Sequence, residues 1–358
     1  MARKYTYTTL QEKQLEDIRY IDGCNRYGLY FTYTNMVQGN EDVYKRFIGN
    51  LGYILEQEEL NRIVSLSPCK SFYFMEDYYI DKMLFSKNLD GALAFIEDNL
   101  ANGKYLSLRT IQEKVPFLRW YDEAFCIESV NNEEYDKYHR FLLIGDDGVY
   151  YYFIDHIDNI KQKECMIDTE DGVVRKVKKK TMYTALGQLA DIRVYNVDKK
   201  KFKENISSIP IIVQQILKDS LDIYYAVSQN ERNEYKGRAC WARLMEMCDL
   251  GNVPLLGSNP NENPRLTIGM VNIIKRRQLL LKTLKNTADL CDNYNILLVS
   301  LEHDIATLVE VKNVLLKQII KGQKYLDGYI KKLLEKILYA EDELHKAISI
   351  CLENKGID

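Results

Sequence analysis

The spacing of apolar positions divides the chain into a mixed front half and a helical back half. From about Ser207 the apolar residues recur at helical spacing over 210–229 and 232–249, and again in three long segments near 267–290, 295–321 and 325–353. Each long segment has one apolar stripe and charged faces, the pattern of a bundle. Between them, 251–264 is rich in proline and glycine and reads as a loop. The front half is less uniform. Leu10, Leu15 and Ile18 predict a short helix or arm within 1–22, and Val43, Phe47, Leu51, Ile54, Leu55, Leu60 and Ile63 predict helices over 41–66, closed by Pro68-Cys69. The aromatic run 72–79 reads as a strand or a pocket wall. Leu93, Phe95, Ile96 and Leu100 predict an amphipathic helix over 90–102 that stops at Gly103. A strand over 104–109, an aromatic loop over 115–121 and a short strand over 124–130 follow.

The strongest local signal lies between Tyr138 and Asp155. Two runs rich in β-branched and aromatic residues flank an Asp147-Gly148 turn, which predicts a β-hairpin. His139 opens the first strand and Asp155 closes the second, so the antiparallel return brings both to one open end. Beyond it, 165–168 and 173–177 read as a second hairpin around Glu170-Asp171-Gly172, 183–191 as a short helix and 192–197 as the last strand. The lysine-rich stretches 175–180 and 199–203 read as solvated edges that discourage strand association. The fold class is therefore α+β: an antiparallel-sheet domain over 1–204, then an α-helical domain over 205–358.

Composition narrows the function without naming it. The chain has 358 residues, with 46% hydrophobic and 28% charged content, as in ordinary globular proteins. A net charge of −3 argues against a nucleic-acid partner. The first residues lack the apolar run of a signal peptide, and no apolar stretch is long enough to cross a bilayer, so a cytoplasmic protein with no membrane partner is expected. The eight cysteines are scattered without C-x-x-C or paired-histidine spacing, which suggests neither a metal site nor a disulfide framework. They are expected to be mostly reduced and buried. No glycine-rich nucleotide motif is present.

Three residues carry candidate chemistry. Gly23-Cys24 followed by an apolar run fits a loop entering a helix with the thiol in its first turn, where unpaired N–H groups and the helix dipole lower a thiol pKa, to roughly 3.5–7.5 in reactive cases. A thiolate on Cys24, an imidazole on His139 and an orienting carboxylate on Asp155 form a nucleophile, base and orienter in chain order. The plain alternative is a buried thiol and an ordinary strand histidine. His156 alternates to the opposite face from Asp155, His303 and His345 read as surface residues of charged helix faces, and Cys240 and Cys248 as core. Lys275-Arg276-Arg277 reads as a solvated face or as a contact for an acidic carrier protein or a phosphopantetheine phosphate.

With those residues in order, the front half resembles the papain-like superfamily, and more narrowly the peptidase C39-like branch and the butirosin biosynthesis protein H family. The resemblance rests on Gly23-Cys24, the helix ending at Gly103, Val115-Pro116-Phe117, and the hairpin from His139 through Gly145-Asp146-Asp147-Gly148 to Asp155, and covers roughly residues 15–197. It implies a papain-like domain that moves an acyl group from an acyl or peptidyl carrier protein onto an amine acceptor, as in thiotemplated antibiotic assembly of the closthioamide type. It implies Cys24, His139 and Asp155 as the triad, and no cofactor beyond the phosphopantetheine arm of the carrier. Two departures stand out: no tyrosine follows Gly145, and no amide side chain lies just before Cys24 to line an oxyanion hole. Gln14 is the nearest upstream amide; the Cys24 N–H with Asn25 is the other candidate. A cysteine hydrolase using the same triad and an inactive binding module are the competing expectations.

Overall fold

The structure, a computed structural model, describes residues 12–21, 24–36, 43–58, 62–69, 73, 77–84, 89–118, 138–155, 166–168, 174–186, 191–226, 234–250, 265–287 and 294–353. In chain order the elements begin with α1 (Glu12–Ile18), α2 (Cys24–Met36), β1 (Tyr53–Glu58), β2 (Arg62–Pro68), β3 (Tyr78–Leu84), α3 (Leu89–Ala101) and β4 (Leu106–Ile111). Then come β5 (Tyr138–Asp146), β6 (Tyr150–Ile154), β7 (Met166–Asp168), β8 (Val174–Lys178), α4 (Lys179–Leu186), β9 (Asp191–Val197) and α5 (Lys199–Ser207). The chain ends in α6 (Ile209–Tyr224), β10 (Glu234–Lys236), α7 (Arg238–Leu250), α8 (Arg265–Lys285), α9 (Tyr294–Ile320) and α10 (Gly328–Glu353).

These elements form two compact units, Met1–Tyr44 with Glu76–Lys203 and Lys45–Met75 with Glu204–Asp358. Residues 45–75 thus leave the first unit for the second, a division that a single break near 204 does not contain. The segment also corrects the helices expected over 41–66. Its described part holds one 3₁₀ turn, Val43–Phe47, and then β1 and β2, paired with each other and with β10 in the order β10-β1-β2. Leu55 and Leu66 face one another across that pair and are buried. The apolar spacing was compatible with a helix, and β10, far along the chain, supplies the competing hydrogen bonds. β10 also interrupts the helix expected over 232–249, so the second unit is not wholly helical.

The first unit is built on a seven-stranded sheet, β3-β9-β4-β5-β6-β8-β7, with every neighbouring pair antiparallel. The expected hairpin is β5–β6, turned at Gly148, whose φ of +90° favours glycine. The second hairpin is β7–β8. α3 lies where it was expected, and its Ala92, Ile96 and Leu100 pack with Phe141, Leu143 and Phe153 of the sheet in one buried cluster. Two expectations shift. The short helix runs as α4 over Lys179–Leu186, and Asp191 already belongs to β9. The stretch 175–180 does not form an edge, because β8 pairs with β6 and β7, and Arg175 is buried. The short strand expected over 124–130 lies outside the described residues.

The long helices of the second unit enclose charge as well as apolar stripes. Arg277, fully buried in α8, lies 2.8 Å from Asp304 of α9 and 2.5 Å from Glu341 of α10, both also fully buried. One cation cannot balance two buried carboxylates, and burial raises the Asp304 pKa well above the usual carboxylate range, against the pull of Arg277. His345, expected on the surface, is buried beside this group. It donates Nδ1–H to the Glu341 main-chain oxygen at 2.7 Å and stacks on Tyr224 at 3.6 Å, and burial lowers its pKa to about 4. Lys275-Arg276-Arg277 is likewise no solvated patch: Arg276 and Arg277 are buried, and Arg276 donates to the Cys69 carbonyl at 2.5 Å. Charged residues at these helix positions gave no local sign that partners on other helices would cover them.

Cys69, Cys240 and Cys248 are free and buried, whereas Cys351 is disulfide-bonded.

Asp304 and His345 make opposite pH predictions. The folded Asp304 pKa is raised above the unfolded value near 4, so its contribution is fully present below that pH and is lost as pH rises. Folded His345 stays neutral down to about pH 4 while the unfolded imidazole protonates near pH 6.5, so its contribution is lost as pH falls from 6.5 to 4. Over that window the two slopes oppose. Asp304→Asn is expected to lose stability on acidification relative to wild type, and His345→Gln on alkalinisation, each with a slope of about 1.4 kcal/mol per pH unit. Urea denaturation at several pH values between 4 and 6.5 measures both, and parallel curves for wild type and variants would refute the pairing.

Candidate active site

β5 and β6 bring His139 and Asp155 together. His139 is the second residue of β5 and Asp155 directly follows β6, and the register that pairs Leu142 with Ile154 leaves both at the same end of the sheet. His139 Nε2 lies 2.5 Å from Asp155 Oδ2; the carboxylate is fully buried and the imidazole 12% exposed. A carboxylate accepts, so Nε2 donates. A carboxylate that holds an imidazole through one ring nitrogen is the orienting half of a general-base arrangement.

Cys24 is the first residue of α2, as expected; the position of its side chain lies outside the described residues. The course of α2 is well defined beyond its first residues. It packs on β4, β5 and β9, and a Cβ placed on Gly28 would meet the Tyr195 ring at 2.7 Å and Leu142 at 3.2 Å, so only glycine permits this approach. Farther along, Phe31 packs on Tyr105 before β4, and Tyr33 stacks on Phe202 and donates to Asp77. α2 therefore runs towards the start of β4, and its first turn lies towards the sheet end that carries His139 and Asp155.

Alternation assigns the faces. Phe141 and Leu143 of β5 join the cluster with α3, and Leu142 meets α2 on the other side. His139 shares the parity of Phe141, so the dyad opens on the α3 face and α2 covers the opposite one.

The α2 face holds a group that sequence reading missed. Asp191, at the start of β9 and 1% exposed, accepts from Arg140 Nη2 at 2.5 and 2.7 Å and from Arg193 Nε at 3.1 Å, and lies 3.7 Å from Arg109. The register pairs Arg109 with both Arg140 and Asp191, so three strands bring Asp191 and these arginines to one place. Burial lowers the Arg140 pKa, against the hydrogen bonds to Asp191. Arg140 stood beside His139 in the sequence, but its partners lie on strands 30 and 50 positions away.

Other candidates separate. Gln14 lies 3.4 Å from the Thr34 hydroxyl, towards the far end of α2, which removes it from the neighbourhood of Cys24. The Asn25 side chain and His156 lie outside the described residues, and His303 is exposed. Burial pushes up the thiol pKa of Cys69, of Cys240, and of Cys248 to about 12, so none of these three is poised as a thiolate. A cavity of about 590 Å³ in the second unit, lined by Asn50, Glu56, Cys69, Tyr73, Asp222 and Lys236 among others, contains Cys69 but no base of the His139 kind. Among the described residues no group of three or more His, Cys, Asp or Glu could hold a metal, and no helix is long and apolar enough to cross a membrane.

No family model and no curated protein matches the chain.

Removing the anion at the centre of the arginine group leaves three cations facing one another. Asp191→Ala is expected to destabilise the fold by about 3–5 kcal/mol, as for other buried ion pairs broken on one side. Thermal or urea unfolding of the variant measures it, and a loss below about 1 kcal/mol would show that water already screens the group.

Proposed function

We propose that the chain is a papain-like cysteine acyltransferase that takes an acyl group from a carrier-protein thioester and passes it to an amine. The observation that carries this reading is the 2.5 Å contact between His139 Nε2 and Asp155, at the sheet end towards which α2, opened by Cys24, presents its first turn. In the proposed cycle His139 takes the Cys24 proton, the thiolate attacks the thioester carbonyl, and the carrier sulfur leaves as its C–S bond breaks, with the proton returned by His139. The amine then attacks the acyl-Cys24 carbonyl, His139 accepts the amine proton, Cys24 leaves as the thiolate, and Asp155 holds the ring throughout. The first exchange converts one thioester into another and is nearly balanced, and amide formation makes the second step downhill. No nucleotide is consumed. Residues 1–204 would hold this chemistry, with the remainder docking the carrier protein or shaping the acceptor pocket, in the cytoplasm and without a cofactor of its own.

One observation favours a second reading, a binding module without turnover. α2 covers the face of β5 away from His139.

Intact-protein mass spectrometry after incubation with acyl-carrier thioesters, then with amines, separates the readings. An adduct on wild type, absent from Cys24→Ala and discharged as amide, is the expected result. Asp155→Asn is expected to slow adduct formation by roughly 10²–10⁴-fold, because the ring loses its orienting charge. Discharge as free acid regardless of amine would make the protein a hydrolase, and an absent adduct with every donor would leave the binding module.

A further inference from the structure

The turn between α9 and α10 is firmly built and yet leaves apolar side chains in water. Gly322 closes α9 at a φ of +87°, with its N–H on the Ile319 carbonyl at 2.9 Å and the Gln323 N–H on the Gln318 carbonyl at 3.0 Å. A left-handed residue just past the helix makes this double closure possible. At the start of α10, Asp327 Oδ1 accepts from the Ile330 N–H at 2.9 Å, and Oδ2 accepts from the Gln323 side chain at 2.7 Å. Leu326 and Ile330 are buried and anchor the connection in the second unit.

Around this frame Leu316, Ile320, Tyr325 and Tyr329 face solvent, the two tyrosines half-exposed and Ile320 with 84% of its surface exposed. Leu316 and Ile320 stand one helical turn apart, and Lys317 and Lys321 form a second stripe beside them. Lys324 follows in the turn, and Lys331 and Lys332 lie at the start of α10. Residues 316–332 thus carry five lysines against one aspartate and hold no arginine, in a chain whose net charge is −3. Lys331 pairs with Asp249, while Lys317, Lys321, Lys324 and Lys332 are exposed. Because the turn is already ordered, covering its apolar side chains costs little conformational freedom.

We propose that the α9–α10 turn is a docking surface for a lipid bilayer that carries anionic headgroups. Charge complementarity sets the sign of the partner, since clustered lysines are drawn to an anionic surface. The residue types set its kind. Protein interfaces are enriched in arginine as well as aromatic residues and are poor in lysine, because a guanidinium fork matches a fixed carboxylate. An ammonium is a compact point charge and suits a fluid layer of headgroups, and every cation of this turn is a lysine. Ile320 reaches the acyl chains, the tyrosine rings lie at the interface with their hydroxyls in water, and the lysine stems follow the apolar surface with their charges among the headgroups. A contact at the surface needs no spanning segment, so the absence of an apolar stretch long enough to cross a bilayer does not bear on it. The proposal is independent of acyl transfer.

Vesicle flotation of the full chain tests the surface. At low ionic strength, vesicles of phosphatidylcholine with phosphatidylserine are expected to bind the protein at least about tenfold better than phosphatidylcholine alone, and about 0.5 M salt is expected to remove that preference. Replacing Lys321 and Lys324 together by alanine is expected to lower binding to the anionic vesicles roughly tenfold or more, from about fivefold for each lysine. Ile320→Ser is expected to lower binding roughly tenfold while keeping the preference for phosphatidylserine, because it removes apolar insertion and no charge. Ile211→Ser, at an exposed site on α6, is expected to bind as wild type does, with circular dichroism checking the fold of each variant.

Equal binding to the two kinds of vesicle, or unchanged binding of the lysine and Ile320 variants, would overturn the proposal. Retention on immobilised polyglutamate that the lysine replacements abolish, with no binding to either vesicle, would overturn it as well and give the turn to an acidic protein.

Discussion

β5 is packed on both faces, and the first unit is organised by that constraint. Phe141 and Leu143 are buried against α3, while Leu142 is buried against α2 where Gly28 lets the helix approach. A strand in this position cannot slip by one residue, because a slip would exchange its two faces. The same register carries His139 to one face and Arg140 to the other. The dyad with Asp155 and the ion group around Asp191 are thus two consequences of one alignment, made by neighbouring residues that point apart.

Each unit buries charge around one central ion of the opposite sign. Asp191 gathers three arginines in the first, and Arg277 draws two carboxylates in the second. Burial makes the balance matter. In the second unit burial raises the Asp304 pKa and lowers that of His345, so that the two oppose each other in their response to pH. In the first unit Asp191 accepts from Arg140 and Arg193, and arginine gives up no proton under ordinary conditions, so the group stays charged.

Legibility followed the range of the interactions. The β5–β6 hairpin was readable because an Asp-Gly turn and two β-rich runs lie within a few residues of each other, and the same local pairing delivered the contact of His139 with Asp155. α3 was readable from its stripe and its Gly103 stop. The strands β1 and β2 lie where helices over 41–66 were expected, because β1 is held by β10, nearly two hundred residues away, and nothing local distinguishes their spacing from a helical one. His345 and Arg277 were misread for a related reason, since charge on a helix suggests solvent until other helices cover it.

The sequence by itself determined the local units: which runs turn back on themselves, which helices carry an apolar stripe, and which histidine and aspartate share an open strand end. These depend on periodicity, turn chemistry and backbone preference within a dozen residues. Only the tertiary structure decided which face of β5 meets α2, that residues 45–75 join the second unit, and that arginines from three strands gather on one aspartate. Each of those outcomes depends on the register of strands distant in the chain and on the burial that results, and burial is what turns a surface charge into a strong interaction.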